Sequence, residues 1–203
     1  MALVLHQGDL PADVDFGPSV AVDTETTGLS LLRDRLCLVQ MSDADGNVHI
    51  VQLPKDGMAA PNLRRLMTET SVVKLFHFAR FDMAMMYRWL DVMPGPVFCT
   101  KIASKLVRTY TDKHNLKELC RELLGVDLSK QQQSSDWAAA DLSDKQLEYA
   151  ASDVLHLHAL KAVLDAMLAR EDRTALAEAS FAYLPTRVLL DLGGWRDEDI
   201  FHH

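Results

Sequence analysis

The sequence predicts an α/β or α+β sandwich, strands covered by helices, and three observations lead there. Short apolar or alternating runs of strand-forming residues crowd the part of the chain before Thr100. After Thr100 the apolar positions recur at helical spacing. Turn and stop residues fall between these segments rather than inside them. Strands first and helices later favour such a layered domain.

Ser19 to Asp23 (SVAVD) is a short apolar run of the kind a buried strand shows. Arg35 to Met41 (RLCLVQM) is rich in strand formers, and Asn47 to Leu53 (NVHIVQL) roughly alternates. Asp45-Gly46 or Gly46-Asn47 between them signals a hairpin turn, so three successive antiparallel strands are expected. Pro61 to Thr68 predicts a helix with proline in its first turn. Ser71 to Phe76 predicts another buried strand, Ala79 to Leu90 a helix ending before Pro94-Gly95-Pro96, and Val97 to Cys99 a short strand. Asn115 to Leu124 predicts a helix stopped by Gly125. Ser129 to Ala140 is polar and irregular and predicts a loop. Ser143 predicts an N-cap, with Gln146 completing a capping box. Helix is then expected through Arg170 and again from about Asp172 to Leu189, before an irregular tail.

The chain has 203 residues, 48% hydrophobic and 25% charged, which suits one domain with at most a small extension. The three cysteines, Cys37, Cys99 and Cys120, are odd in number and well spread, so no disulfide framework is expected. The opening MALVLHQGDLPAD lacks a charged start followed by an apolar run, so no signal peptide is expected. No apolar stretch approaches membrane-spanning length, and a cytoplasmic protein is the expectation. A net charge of −8 argues against a long general nucleic-acid groove. The charge is uneven: seven basic against four acidic side chains lie between Lys101 and Lys130, and three against seven from Glu171 to His203. A local basic surface is permitted.

Three residue patterns carry chemistry. Asp23 and Glu25 end the first buried strand, and residues two apart on a strand face the same side. Two carboxylates that close repel unless a cation separates them, and carboxylate oxygens suit hard ions such as Mg²⁺ or Mn²⁺. Alone, DTETTG also suits a solvated turn. Asp82, in HFARFD, lies in the first turns of a helix that follows a strand, although a helix-N-terminal aspartate also favours the helix dipole. Tyr149 and Asp153 are four apart on a predicted helix and share a face. Each is also compatible with an exposed acid and an amphipathic tyrosine.

In their order, D-x-E (Asp23-Thr24-Glu25), H-x-x-x-x-D (His77 to Asp82) and Y-x-x-x-D (Tyr149 to Asp153) resemble the three exonuclease motifs of the DEDD superfamily, in its tyrosine-bearing DEDDy branch. Ser135-Asp136-Trp137 and the stretch from Leu142 to Val154 resemble ribonuclease D. The resemblance covers roughly residues 19 to 165. The opening HQGDLP, the block RDRLCLVQ and the length, too short for ribonuclease D's C-terminal nucleic-acid-binding domains, resemble the nano-RNase C family of alphaproteobacteria.

The resemblance implies a ribonuclease H-like mixed sheet flanked by helices, with an exonuclease domain over 1–170. Residues 171–203 then form a C-terminal helix and tail, part of the same domain or an oligomer contact. It implies a 3′→5′ exoribonuclease that cuts diribonucleotides and other short RNA to 5′-mononucleotides with two divalent cations, Mg²⁺ or Mn²⁺. Asp23, Glu25, Asp82 and Asp153 would hold the ions, and Tyr149 would orient the attacking water. Thr24, Leu29, His77, Lys105 and Arg108 are the candidate substrate contacts, with Lys113 beside them. Leu29 matches the family's wedge between the last two bases, though it also reads as a loop leucine. His77 could meet the 3′-terminal sugar or be a structural histidine. Lys105, Arg108 and Lys113 could reach phosphate or be solvated helix charges. Trp137 could stack on a base, but core or interface packing is the plainer expectation. A zinc site of Asp153, His156 and His158 is rejected, because those offsets do not share one helix face. The resemblance further implies a homo-oligomer built of dimers, an octameric ring; separately, Trp195, Ile200 and Phe201 are more apolar than a free terminus needs and are expected to dock on a neighbouring subunit. Two other functions stay open: an exonuclease acting on longer RNA or DNA, and a catalytically silent RNA-binding module.

Overall fold

The computed structural model describes residues 2–55, 60–128 and 135–202. Its elements run β1 (Leu3–Gln7), β2 (Ser19–Thr26), β3 (Leu36–Ser42), β4 (Val48–Gln52), α1 (Pro61–Thr68), β5 (Val73–Phe76) and α2 (Ala79–Leu90). Then come β6 (Val97–Cys99), α3 (Thr100–Val107), α4 (Leu116–Leu119) with a π turn over Cys120–Leu124, α5 (Asp144–Leu155), α6 (Leu157–Arg170) and α7 (Thr174–Leu192).

The strands form one mixed sheet in the order β1-β4-β3-β2-β5-β6. The expected antiparallel run β2-β3-β4 is present. β5 joins β2 in parallel, β6 joins β5 in parallel, and β1 joins β4 in parallel. β1 was not legible in the sequence. LVLHQ is only partly buried at the sheet edge, so it lacks a marked apolar pattern.

β2 is buried on both faces, with Val20, Ala21 and Val22 all inaccessible to solvent. Its alternation distributes side chains to two different helices. Asp23 lies directly across from Gln40 of β3. Ser42, two residues from Gln40 and on the same face, bonds the Val154 carbonyl of α5 at 3.2 Å. Thr24, of opposite phase, bonds Asp82 of α2 at 2.6 Å.

The helix expected to run unbroken to Arg170 is two helices, parted at His156 (φ −103°, ψ −3°). The Ser42 hydroxyl donates to the Val154 carbonyl beside the break, so a tertiary contact replaces part of the local bonding. α7 runs on to Leu192 and carries Pro185 inside it. It packs on α2, α3 and β6. Asp191, near its end, accepts hydrogen bonds from Arg80 of α2, one of them at 2.6 Å, and pairs with Arg187 at 3.0 Å. Of the loop expected over Ser129 to Ala140, residues 129–134 lie outside the described residues; 135–140 carry no helix or strand. Among the described residues, no helix is long and apolar enough to cross a membrane.

Candidate active site

β2 ends at a cleft of about 700 Å³, walled by β2, α5 and the starts of α2, α3 and α4. Asp23 and Glu25 enter it from β2 because they share one strand face. Asp153 enters from α5, one helical turn after Tyr149. The start of α5 is set by the capping box that the sequence predicts, Ser143 with Gln146. Carboxylate oxygens of Asp23, Glu25 and Asp153 all lie within 4.8 Å of one another. Asp82 sits behind them, 4% exposed, its carboxylate fixed by the Thr24 hydroxyl.

These four acids are poorly served by the protein itself. Burial drives the Asp23 carboxyl well above the usual carboxylate range, and the charges of Asp82, Asp153 and Glu25 push it the same way. Burial, then Asp153 and Asp82, raise Glu25 to about 9. Burial raises Asp82 to about 7 against the Thr24 hydrogen bond. Asp153 rises to about 7 for the same reason, against a hydrogen bond from the Tyr149 hydroxyl. Converging hard oxygen donors without a protein counter-ion fit a divalent cation such as Mg²⁺, which restores the ionised forms.

The Tyr149 phenol is pushed up by burial and by Asp153, Glu25 and Asp23, so it stays protonated and donates toward Asp153. Trp137 lies beside it, ring centroids 6.1 Å apart, and is 3% exposed. Packing, rather than an open stacking surface, describes Trp137.

The other expected contacts divide. Leu29 is 76% exposed and borders the cleft. Thr24 borders it too, but its hydroxyl is engaged with Asp82. His77 lines the cleft while its ring lies between the Thr100 hydroxyl, 2.9 Å away, and the His114 backbone. Burial, then the Lys101 charge, lower it to about 3, so it is neutral. Arg108 requires correction as a phosphate contact. It is fully buried and bonds Ser104 at 3.0 Å, the Lys113 carbonyl at 2.7 Å and the Glu122 carboxylate. It ties α3 to the π turn, and its guanidinium does not reach the cleft. Lys105 and Lys113 are exposed, and neither is part of the cleft wall. His156 and His158 do not join the carboxylate cluster; His158 lies 3.3 Å from the Ser19 carbonyl.

Among the described residues, the cations at the cleft are instead Lys101 and Lys117. Lys101 holds its ammonium 4.0 Å from the centre of the Phe78 ring. Phe78 is 43% exposed and adopts a left-handed backbone (φ 76°, ψ 44°). An aromatic side chain rarely takes that conformation, and such strain concentrates at functional sites. One sequence signal could have found Lys101: it follows Thr100 at the junction of β6 and α3, where ligand sites gather in such sheets. Phe78 had no comparable signal, since its backbone angle is visible only in the fold.

Comparison with known proteins gives the family. A family model described as 3′-5′ exonuclease matches residues 9–169. The structure of Brucella melitensis NrnC with bound Mg²⁺ is 55% identical, covers all of both chains and superimposes with a TM-score of 0.96. The same protein bound to pGG is 56% identical, again with a TM-score of 0.96, covering 100% of this chain and 99% of that one. Ribonuclease D of Jannaschia sp. is 33% identical over 170 residues, 82% of this chain and 44% of the relative. DNA polymerase I of Aquifex aeolicus is 39% identical over 143 residues, 70% of this chain and 23% of the relative. The chain thus spans less than half the length of these curated relatives. The mixed six-stranded sheet flanked by helices is the ribonuclease H-like architecture. The chain belongs to the 3′-5′ exonuclease family, in its ribonuclease D-like, NrnC-type branch.

Proposed function

We propose that this chain is a 3′→5′ exoribonuclease that hydrolyses diribonucleotides and other short RNA to 5′-mononucleotides, using two divalent cations, Mg²⁺ or Mn²⁺. One observation carries the reading: Asp23, Glu25 and Asp153 converge within 4.8 Å, with Asp82 buried behind them and the Tyr149 hydroxyl on Asp153. The NrnC bound to pGG supports a short RNA substrate. Among the described residues, the cations that border the cleft are Lys101 and Lys117, a local basic surface that suits a short ligand.

In this reading Asp23, Glu25 and Asp153 hold one cation, and Asp82 with Asp23 helps hold the other. Bound divalent cations supply positive charge against the scissile phosphate and acidify water. Tyr149, kept protonated, orients the attacking water rather than removing its proton. Water attacks phosphorus, the bond to the 3′ oxygen of the upstream nucleotide breaks, and that oxygen takes up a proton. Leu29 and Phe78 present apolar surface to the bases, and His77 and the backbone of Thr24 border the terminal nucleotide. Lys101 and Lys117 face the phosphate, a role the sequence reading gave to Lys105 and Arg108.

Residues 1–170 form the exonuclease domain in this reading, and 171–203 complete it or contact a neighbour. Trp195, Ile200 and Phe201 are 46%, 43% and 68% exposed, apolar surface that suits a homo-oligomer, a ring of dimers, in the cytoplasm. Light scattering should then give several times 22.7 kDa, and a clean monomer would contradict it.

A time course on 5′-labelled RNAs of two to about twenty nucleotides, with matched DNA, tests the substrate. Fastest cleavage of the dinucleotide supports the proposal. Efficient degradation of long RNA or DNA with dinucleotides persisting would favour a processing or repair role, the reading that the DNA polymerase I relative supports.

A further inference from the structure

Gln40 is the least explained polar residue near the cleft. It is fully buried in β3, and neither its amide nitrogen nor its amide oxygen has a hydrogen-bond partner among the described residues. Its position is fixed by the sheet register, which sets it directly across from Asp23 and, on its other side, from Ile50. Directly opposed residues of antiparallel strands share a face, with side chains in reach of one another. That face is the one α5 covers, as the bond from Ser42 to the Val154 carbonyl demonstrates.

Two neighbouring polar side chains on the same face have partners. Ser42 bonds α5. Gln52 donates to the Ala139 carbonyl at 2.9 Å and accepts from Gln7 at 2.9 Å. Gln40 alone among these keeps both ends of its amide unbonded. A buried amide in that state is destabilising relative to an apolar side chain of similar size. Met41, the next residue, is an apolar side chain of that size buried in the same strand. Packing does not explain an amide at position 40; the side chain that the register sets beside it is the Asp23 carboxylate.

We propose that Gln40 is a positioning residue for Asp23: its amide, through one buried water between the two side chains, orients the Asp23 carboxylate toward a divalent cation. The inference rests on the metal-site reading above. Groups that hydrogen-bond a ligating carboxylate fix its orientation, and losing one typically weakens metal binding by about 10–100-fold.

The test is calorimetric titration of Mn²⁺ into wild type, Gln40→Met, Gln40→Leu and Asp23→Asn, with thermal unfolding of each in chelator. For both Gln40 variants the expected result is an unfolding temperature in chelator equal to or above wild type. The Mn²⁺ dissociation constant should rise about 10–100-fold. In turnover, the Mg²⁺ concentration for half-maximal rate should rise likewise, with kcat at saturating Mg²⁺ changing far less. Wild-type Mn²⁺ affinity in both Gln40 variants, with binding lost in Asp23→Asn, overturns the inference and leaves the metal site standing. Undiminished binding in Asp23→Asn overturns the metal site itself. A lower unfolding temperature in chelator for both Gln40 variants makes Gln40 a structural residue and also overturns the inference.

Discussion

Two places in this molecule bury carboxylates, and they treat them in opposite ways. At the junction of α2 and α7, the Asp191 side chain is 1% exposed and lies between two guanidinium groups, Arg80 and Arg187. Those arginines also hold the tail, through hydrogen bonds to the Arg196 carbonyl. At the cleft, four acids gather, and among the described residues none of them has an ion pair with a lysine or arginine. A carboxylate that serves the fold is supplied with its counter-charge by the chain. Acids left together without one are waiting on a charge from outside. The difference also separates two roles for the same helix: Arg80 ties α2 to the tail, and Asp82, two residues on, faces the chemistry.

Substitutions at the two places should therefore fail differently. The largest effect is expected from Asp23→Asn. Hydrolysis of a labelled diribonucleotide should fall well beyond the about 10–100-fold typical of outer-shell partners. Unfolding in chelator should stay at or above the wild-type temperature, because a neutral amide replaces a buried carboxyl whose ionised form burial and the neighbouring acids oppose. Near-normal turnover would sink the site. Asp191→Ala should do the reverse. It strands two arginines, which costs on the order of 3–5 kcal/mol when a buried pair is broken, read from urea unfolding. A change under about 1 kcal/mol would mean the clasp is ornamental.

The pH dependence of the metal-free protein sharpens the contrast. Glu25 at about 9, and Asp82 and Asp153 at about 7, lie above their unfolded values. A group whose pKa is raised on folding contributes stability that is full below its unfolded pKa and is lost as pH rises through the folded one. In chelator, the unfolding temperature should decline as pH rises from about 5 to 9. Saturating Mg²⁺ should flatten that decline, since it favours the ionised forms. A metal-free protein that gains stability over this window would contradict the electrostatic account.

Smaller effects are expected further from the carboxylates. Tyr149→Phe should slow the reaction by about tenfold or more while leaving Mn²⁺ affinity near wild type. An unchanged rate would remove Tyr149 from the mechanism. Lys101→Ala should raise KM for a diribonucleotide several-fold, whereas Lys105→Ala should leave it unchanged. Equal effects from both would return Lys105 to the site.

Much of the carboxylate cluster was legible because its spacing is local. Two residues on a strand place Asp23 with Glu25, and four on a helix place Tyr149 with Asp153. The capping box at Ser143 fixes where that helix begins. The basic side chains at the cleft were less legible because they depend on which way a helix turns. In α3, Lys101 and Lys105 are one turn apart and read alike, yet only Lys101 borders the cleft. Arg108, at the end of the same helix, turns inward to Glu122. Gln40 read as an ordinary strand residue until the register set it across from Asp23.

The sequence by itself determined most of the order of strands and helices from Ser19 onward, and the pairs Asp23–Glu25 and Tyr149–Asp153; that these and Asp82 form one set was implied only by the family resemblance. The order and the pairs arise from alternation, helical period and capping, which act within a few residues. The edge strand β1, the break at His156, the strained Phe78 and the Arg80–Asp191 clasp were decided only in the tertiary structure. Each depends on a partner about 40 or more residues away in the chain or on a backbone angle that packing imposes, and local periodicity carries no record of either.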